Sequence, residues 1–307
     1  MKEERKKKLK GWGLALLNVV IAVGIIIGVI ALVKVLSYET ALKKLKEGKY
    51  REAYESLKKM DGYRDSEQWL EEAKIGILRN ATVGSTVFLG SYWSSDERDS
   101  EEREDIEWKV LEVKDGKAML ISEKLLDYSY FLKTVSRVNI KEEGVLYTWE
   151  NSYLRSYLNG YFFDQAFSEK EKTRILETTV KPDRKALTVW FRDVWTGEEA
   201  PTENETIDRV YVLSYAELLK YFPTEDSREC SLSLYVMKMH PFNGDIITRA
   251  MYTSDKITQE CYSWWLRDTY DTENGDHYTC FVDYKGRVDH DGYSHHAIRP
   301  VIWISIE

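Results

Sequence analysis

The chain has 307 residues, with 44 Lys and Arg against 52 Asp and Glu, a net charge of −8. The charge is uneven: residues 1–10 carry +4, residues 37–80 carry +1 and residues 81–307 carry −14. The acidic C-terminal part is therefore a poor partner for nucleic-acid phosphates, which need a basic surface. An apolar content of 43% excludes wholesale disorder, and three cysteines exclude a scaffold built on disulfides.

Gly11–Val33 contains no charged residue. As a helix it is about 34 Å long, enough to cross a bilayer core of about 30 Å. It is too long for the apolar core of a cleaved signal peptide, and Ala31–Ser37 lacks a clear cleavage site. The reading is an uncleaved transmembrane helix over residues 11–36, with the lipid bilayer as its partner. Six basic residues in 1–10 outnumber the four that follow the span, Lys34, Lys43, Lys44 and Lys46. That bias predicts a single-pass protein of the cell membrane, its 1–10 tail cytoplasmic and its C-terminal domain extracellular. Gly24 and Gly28 form the small-xxx-small spacing that lets two membrane helices approach as a weak homodimer, although glycine is also common in lone membrane helices.

Residues 37–80 read as a helical stalk. Ala41, Leu45, Tyr50, Ala53 and Leu57 supply one apolar face, and Gly48 sits at a natural helix end. Trp69, Leu70, Ala73 and Ile77 supply another. The run Ala41–Ala53 resembles a tetratricopeptide-type hairpin. One such unit is too few for a peptide-binding array, which favours a spacer.

From residue 81 the pattern changes. Ser85–Gly90 is a short strand, residues 94–105 a charged loop, and Ile106–Val113 and Lys117–Ser122 flank Asp115-Gly116 as a hairpin. Thr148 is the expected N-cap of a helix burying Leu154, Tyr157, Leu158 and Tyr161. Ser168-x-x-Glu171 and Ser214-x-x-Glu217 are capping boxes, and Pro223 ends the helix after the second. Tyr262–Arg267, Tyr278–Asp283 and Ala297–Ile304 read as strands, the last edge-placed or bulged because of Pro300. The order of elements argues α+β.

Ile106-Glu-Trp108, Thr148-Trp-Glu, Leu154-Arg155, Leu158-Asn159, Ser168…Glu171, Ser214…Glu217, Trp264-Trp-Leu-Arg267, Val282-Asp…Gly286-Arg-Val288 and Arg299-Pro-Val-Ile-Trp303 occur in an ordered series. Over roughly residues 84–307 this series resembles the bacterial domain-of-unknown-function 6273 family. The resemblance implies a C-type-lectin-like fold, as used by formylglycine-generating enzymes and variable binding proteins, and no known activity. Those enzymes hold copper with a close cysteine pair, and related iron enzymes use a tight histidine cluster. Here Cys230, Cys261 and Cys280 are 31 and 19 residues apart, and neither arrangement is present. The expectation is therefore no enzyme, no cofactor and no resident metal.

Cys261 and Cys280 flank the Trp264–Arg267 strand and read either as a disulfide or as isolated buried thiols. Trp264 and Trp265 point to opposite faces of a strand and read as structural. Trp108, Trp149 and Trp303 read as core, and Arg267 and Arg299 as buried ion pairs across the sheet. The candidate ligand-binding residues are Tyr270, Asp271, Asn274 and His277 on one irregular segment and His290, Tyr293 and His295 on another. Aromatic and hydrogen-bonding side chains on loops give contact area at low entropy cost. The functional expectation is a membrane-anchored protein that binds or displays a protein or glycan. The alternatives are a lectin-fold enzyme with an unfamiliar site, and a structural or sensory envelope protein that binds another membrane protein.

Overall fold

A computed structural model describes residues 2–94, 102–132, 148–182, 204–233, 235–236, 262–271, 277–291 and 295–307. The chain divides into two compact units, Met1–Arg79 and Asn80–Glu307. Together they are a mixed α+β protein with one apolar N-terminal helix.

In the first unit α1 (Lys2–Lys46) is followed by α2 (Tyr50–Lys58) and α3 (Ser66–Arg79). The apolar run and the first stalk segment are one continuous helix rather than two, because no Gly or Pro interrupts residues 29–47. Gly48, at φ +75, ends it. Ala41, Leu45, Ala53, Leu57, Ala73 and Ile77 are buried between the helices. Gly76 of α3 lets the Tyr50 ring lie directly against the α3 backbone. Within α1 the segment Asn18–Lys46 is long and apolar enough to cross a membrane, and its apolar window is unburied.

The second unit holds two five-stranded sheets. The first, in the order β1-β2-β3-β12-β7, comprises β1 (Thr86–Trp93), β2 (Arg103–Lys114), β3 (Lys117–Ser122), β12 (Val301–Ser305) and β7 (Val210–Tyr211). The second, β10-β9-β8-β11-β4, comprises β10 (Val288–Asp291), β9 (His277–Val282), β8 (Trp264–Asp271), β11 (His295–Ile298) and β4 (Asp127–Tyr130). A small ribbon pairs β5 (Thr178–Val180) with β6 (Thr206–Asp208). Asp115 and Gly116 both have positive φ, 51° and 69°, the backbone that joins strands with right-handed twist. Arg103–Asp105, expected in a loop, extend β2 and pair with Trp93–Ser91, while residues 95–101 lie outside the described residues.

The last expected strand is two strands in different sheets. β11 runs parallel to β8 through Ala297 and Trp264, whereas β12 lies inside the first sheet between β3 and β7. Pro300, with no N–H to donate, occupies the crossing between sheets, and its carbonyl accepts the Ser122 N–H at 3.1 Å. It therefore marks a change of sheet, and the strand after it is central rather than at an edge.

The helix expected from Thr148 starts later. Ser152 is its N-cap and accepts from the Arg155 N–H, opening α4 (Tyr153–Tyr157). A π turn, Leu158–Phe162, follows and leads into α5 (Phe163–Ala166). The wider turn carries Tyr161 off the buried face, leaving it 40% exposed. Capping boxes stand at Ser168, opening α6 (Glu169–Lys172), and at Ser214, opening α7 (Tyr215–Tyr221). Thr224 opens α8 (Glu225–Arg228).

Candidate functional site

β8 is bonded to the segment that joins β7 to α7. Its pairing with β9 slips between Trp265 and Thr269, and there the Arg267 N–H bonds Leu213 O at 3.0 Å. The buried Arg267 guanidinium donates through Nη1 to Glu217 Oε2 and, at 3.0 Å, to Val212 O. Its Nη2 donates to Lys181 O at 3.2 Å, and its Nε–H has no hydrogen-bond partner among the described residues. Glu217 also closes the α7 capping box, accepting the Ser214 N–H at 3.0 Å. Asp268 accepts the Tyr215 N–H at 2.6 Å, a carboxylate placed where the helix N-terminus favours negative charge. Adjacent residues of β8 thus grip the first turn of α7 with opposite charges.

Arg267 and Glu217 line a pocket of about 490 Å³. One side is a row across the first sheet, where Glu112 on β2, Met119 on β3 and Trp303 on β12 are direct register partners. Tyr211 on β7 continues that side, and β5 with Lys181 and α7 with Lys220 and Tyr221 supply the rest. Lys220 Nζ and Tyr221 Oη each donate to Glu112 Oε2 at 2.8 Å. Those bonds, Lys220's first, hold the Glu112 carboxyl below its ordinary range. The bond to Glu112 likewise raises the Lys220 ammonium. Burial pushes the Tyr211 phenol up. The result is a set of paired charges beside three aromatic rings, suited to holding a polar ligand with a flat face.

The residues expected to bind are placed elsewhere. Tyr270, Asp271 and His277 belong to strands, in register as Tyr270 with Tyr278 and Asp271 with His277. β-Branched and aromatic residues such as Thr269, Tyr278 and Thr279 favour the pleated ladder over a loop. His290 is on β10, opposite Cys280, its ring edge-on to Tyr278 at 4.9 Å. His295 is on β11, stacked on Tyr128 at 5.3 Å. β9 and β8 stand between those histidines, a separation of about 14 Å at the usual strand spacing. Tyr270, Asp271, His277 and His290 therefore share one end of the sheet without His295. Asn274 and Tyr293 lie outside the described residues.

Other expectations are corrected or met. Arg267 has its ion pair, but Arg299 has no carboxylate partner among the described residues. Its Nε donates to Ser122 O at 3.1 Å, and its guanidinium lies over Phe222 and Trp264, 4.8 and 5.2 Å from the ring centres. Trp303 is half-buried and lines the pocket instead of filling the core. Trp264 and Trp265 are both buried and donate to Arg228 O and Ser129 O respectively. Cys230 and Cys280 are buried, Cys230 Sγ donating to Glu123 O at 3.4 Å, and Cys261 lies outside the described residues. Asp268 is buried.

Sequence reasoning missed Glu112, Tyr211 and Lys220, which come from separate elements and share no local spacing. It also missed Asp208. That buried carboxylate accepts from Trp149 Nε1 at 2.9 Å, Thr206 Oγ1 at 2.6 Å and Arg155 Nε at 2.6 Å. Asn159 joins the same network, donating to Val210 O and accepting the Arg209 N–H at 2.7 Å.

No curated protein and no solved structure matches the chain. The match to a family begins at the β2–β3 turn and ends with β12, so β1 and β2 precede it even though the sequence resemblance starts near residue 84. Across residues 115–306, more than half its length, the chain belongs to the family described as Domain of unknown function (DUF6273).

Proposed function

We propose that the chain is a non-catalytic, membrane-anchored binding protein. In this reading residues 11–36 cross the cell membrane once and residues 1–10 face the cytoplasm. Residues 37–80 form a stalk with a tetratricopeptide-like hairpin, and residues 81–307 form a C-type-lectin-like domain outside the cell. The observation that carries the reading is the uncovered apolar surface of α1, where Ile25, Ile27 and Leu32 are 61, 61 and 58% exposed. Water opposes such a surface, and a bilayer core accommodates it. The basic residues of the tail support the orientation. The return of β12 into the sheet opened by β1–β3 supports a looped, lectin-like domain.

The Arg267–Glu217 pocket supports binding, since it sets ring faces beside fixed hydrogen-bonding groups. The test is to present the full chain in nanodiscs to glycan and peptide arrays. A hit should weaken about tenfold or more when Trp303→Ala and Lys181→Ala are combined, with circular dichroism showing the variant still folded at the assay temperature. A hit indifferent to both changes would move the site away from this pocket. Turnover of an arrayed compound would replace binding with catalysis.

A further inference from the structure

The stalk carries a second concave surface, a groove of about 660 Å³ between the end of α1 and α2. α2 runs back along α1. Lys44 of α1 meets Glu52 near the start of α2 at 3.4 Å, while Lys34 lies 6.0 Å from the ring centre of Tyr63, beyond the end of α2. The Lys34–Tyr63 end is thus next to the apolar run. Lys34 is the first charged residue after that run, and Val33 and Leu36 line the groove beside it. Lys44 is ten residues on, about 15 Å along the helix. Four cations, Lys34, Lys44, Arg51 and Lys59, line the groove against two carboxylates, Glu52 and Glu55.

We propose that the membrane-proximal end of this groove binds the headgroup of an anionic phospholipid. The proposal rests on the reading that α1 spans the bilayer. A span ending near Val33 puts Lys34, Lys59 and Tyr63 in the headgroup layer, where lysines attract anionic lipid and a tyrosine ring sits at the interface. The apolar lip formed by Val33 and Leu36 continues directly into the acyl region. A phospholipid has this same order of parts, an anionic phosphate above an apolar chain. The Lys44–Glu52 pair offsets one cation at the far end of the groove, while Lys34 and Lys59 bring two cations to the end nearest the membrane.

The test uses the full chain in nanodiscs of phosphatidylcholine and phosphatidylglycerol mixed in equal amounts, with native mass spectrometry of the lipids kept on release. Phosphatidylglycerol should be retained in excess. Lys34→Gln with Lys59→Gln should reduce the excess by about fivefold per charge removed. The double Lys→Arg variant should keep it, and Lys46→Gln, outside the groove, should leave it unchanged. Equal retention of the two lipids by an inserted wild-type chain would overturn the lipid site alone, as would equal loss in the Lys46→Gln control. A chain washed from the bilayer by alkaline carbonate would overturn the anchoring and the proposal together.

Discussion

Asp208 shows how a single residue can organise a family pattern. The Leu154-Arg155 and Leu158-Asn159 pairs belong to the motif series that carries the family resemblance, and Arg155 and Asn159 bond Asp208 and the β6–β7 backbone. Asp208→Ala leaves the Arg155 guanidinium, the Trp149 indole and the Thr206 hydroxyl without their acceptor. Arg155 is partly exposed and keeps its bonds to Glu150 O and Ile207 O, so the cost is that of donors left without a buried acceptor, about 1–3 kcal/mol. Urea unfolding should report a loss of that order, and a loss below about 1 kcal/mol would show that water replaces the carboxylate. Glu112 allows a pH test. Its folded carboxyl titrates below the ordinary range near 4.3, so its contribution is present above that value and lost as pH falls through the lower, folded one. Lys220 has the opposite sign: its contribution is complete below about 10.4 and lost as pH rises through the raised value. The melting temperature of wild type should therefore fall more steeply below about pH 4 than that of Glu112→Gln. Parallel curves for the two proteins would remove Glu112 from the acid response.

Among the elements, the contact between α2 and α3 is tightly constrained. A Cβ added at Gly76 would lie 2.2 Å from Tyr50 Cδ1 and 2.4 Å from Cγ, too near the ring's attachment for a small rotation to relieve. Gly76→Ala should destabilise the helical unit by about 1–3 kcal/mol, although alanine is the better helix former by about 1 kcal/mol. Circular dichroism melts of the full chain would show this as an earlier helical transition. Adding Tyr50→Ala should restore part of the loss, and simple additivity of the two changes would argue against their contact. β8 shows a different economy of elements. Its slip beside Arg267 interrupts the pairing with β9, which resumes at Thr269, and lets Arg267 reach α7, so the pocket depends on an irregularity in the ladder.

For the whole molecule, the anchoring proposal predicts a clear polarity. Protease added to spheroplasts should degrade residues 81–307 and spare an epitope placed in residues 1–10. Protection of the domain would reverse the orientation, and recovery of the chain in the soluble fraction would end the anchoring itself. The −14 charge of residues 81–307 should keep that domain away from an anionic membrane surface while the basic stalk groove is drawn towards one.

Local chemistry is legible in the sequence alone. The apolar length of α1, the Asp115-Gly116 hairpin, the capping boxes at Ser168 and Ser214, the α+β order of elements and the family all follow from short-range patterns, because periodicity, turn dihedrals and helix caps act within a few residues. The π turn after Tyr157 was not legible, since an added residue in one turn leaves the apolar spacing before it unchanged. Nor was the role of Pro300, because a proline reports a missing donor and not which sheet continues beyond it. The pocket lay furthest from view. Glu112, Tyr211, Arg267 and Trp303 are widely separated in the chain and meet only through strand order and register. Those are long-range pairings that no spacing along the sequence encodes, and they placed the pocket on the first sheet rather than beside the histidine-bearing strands.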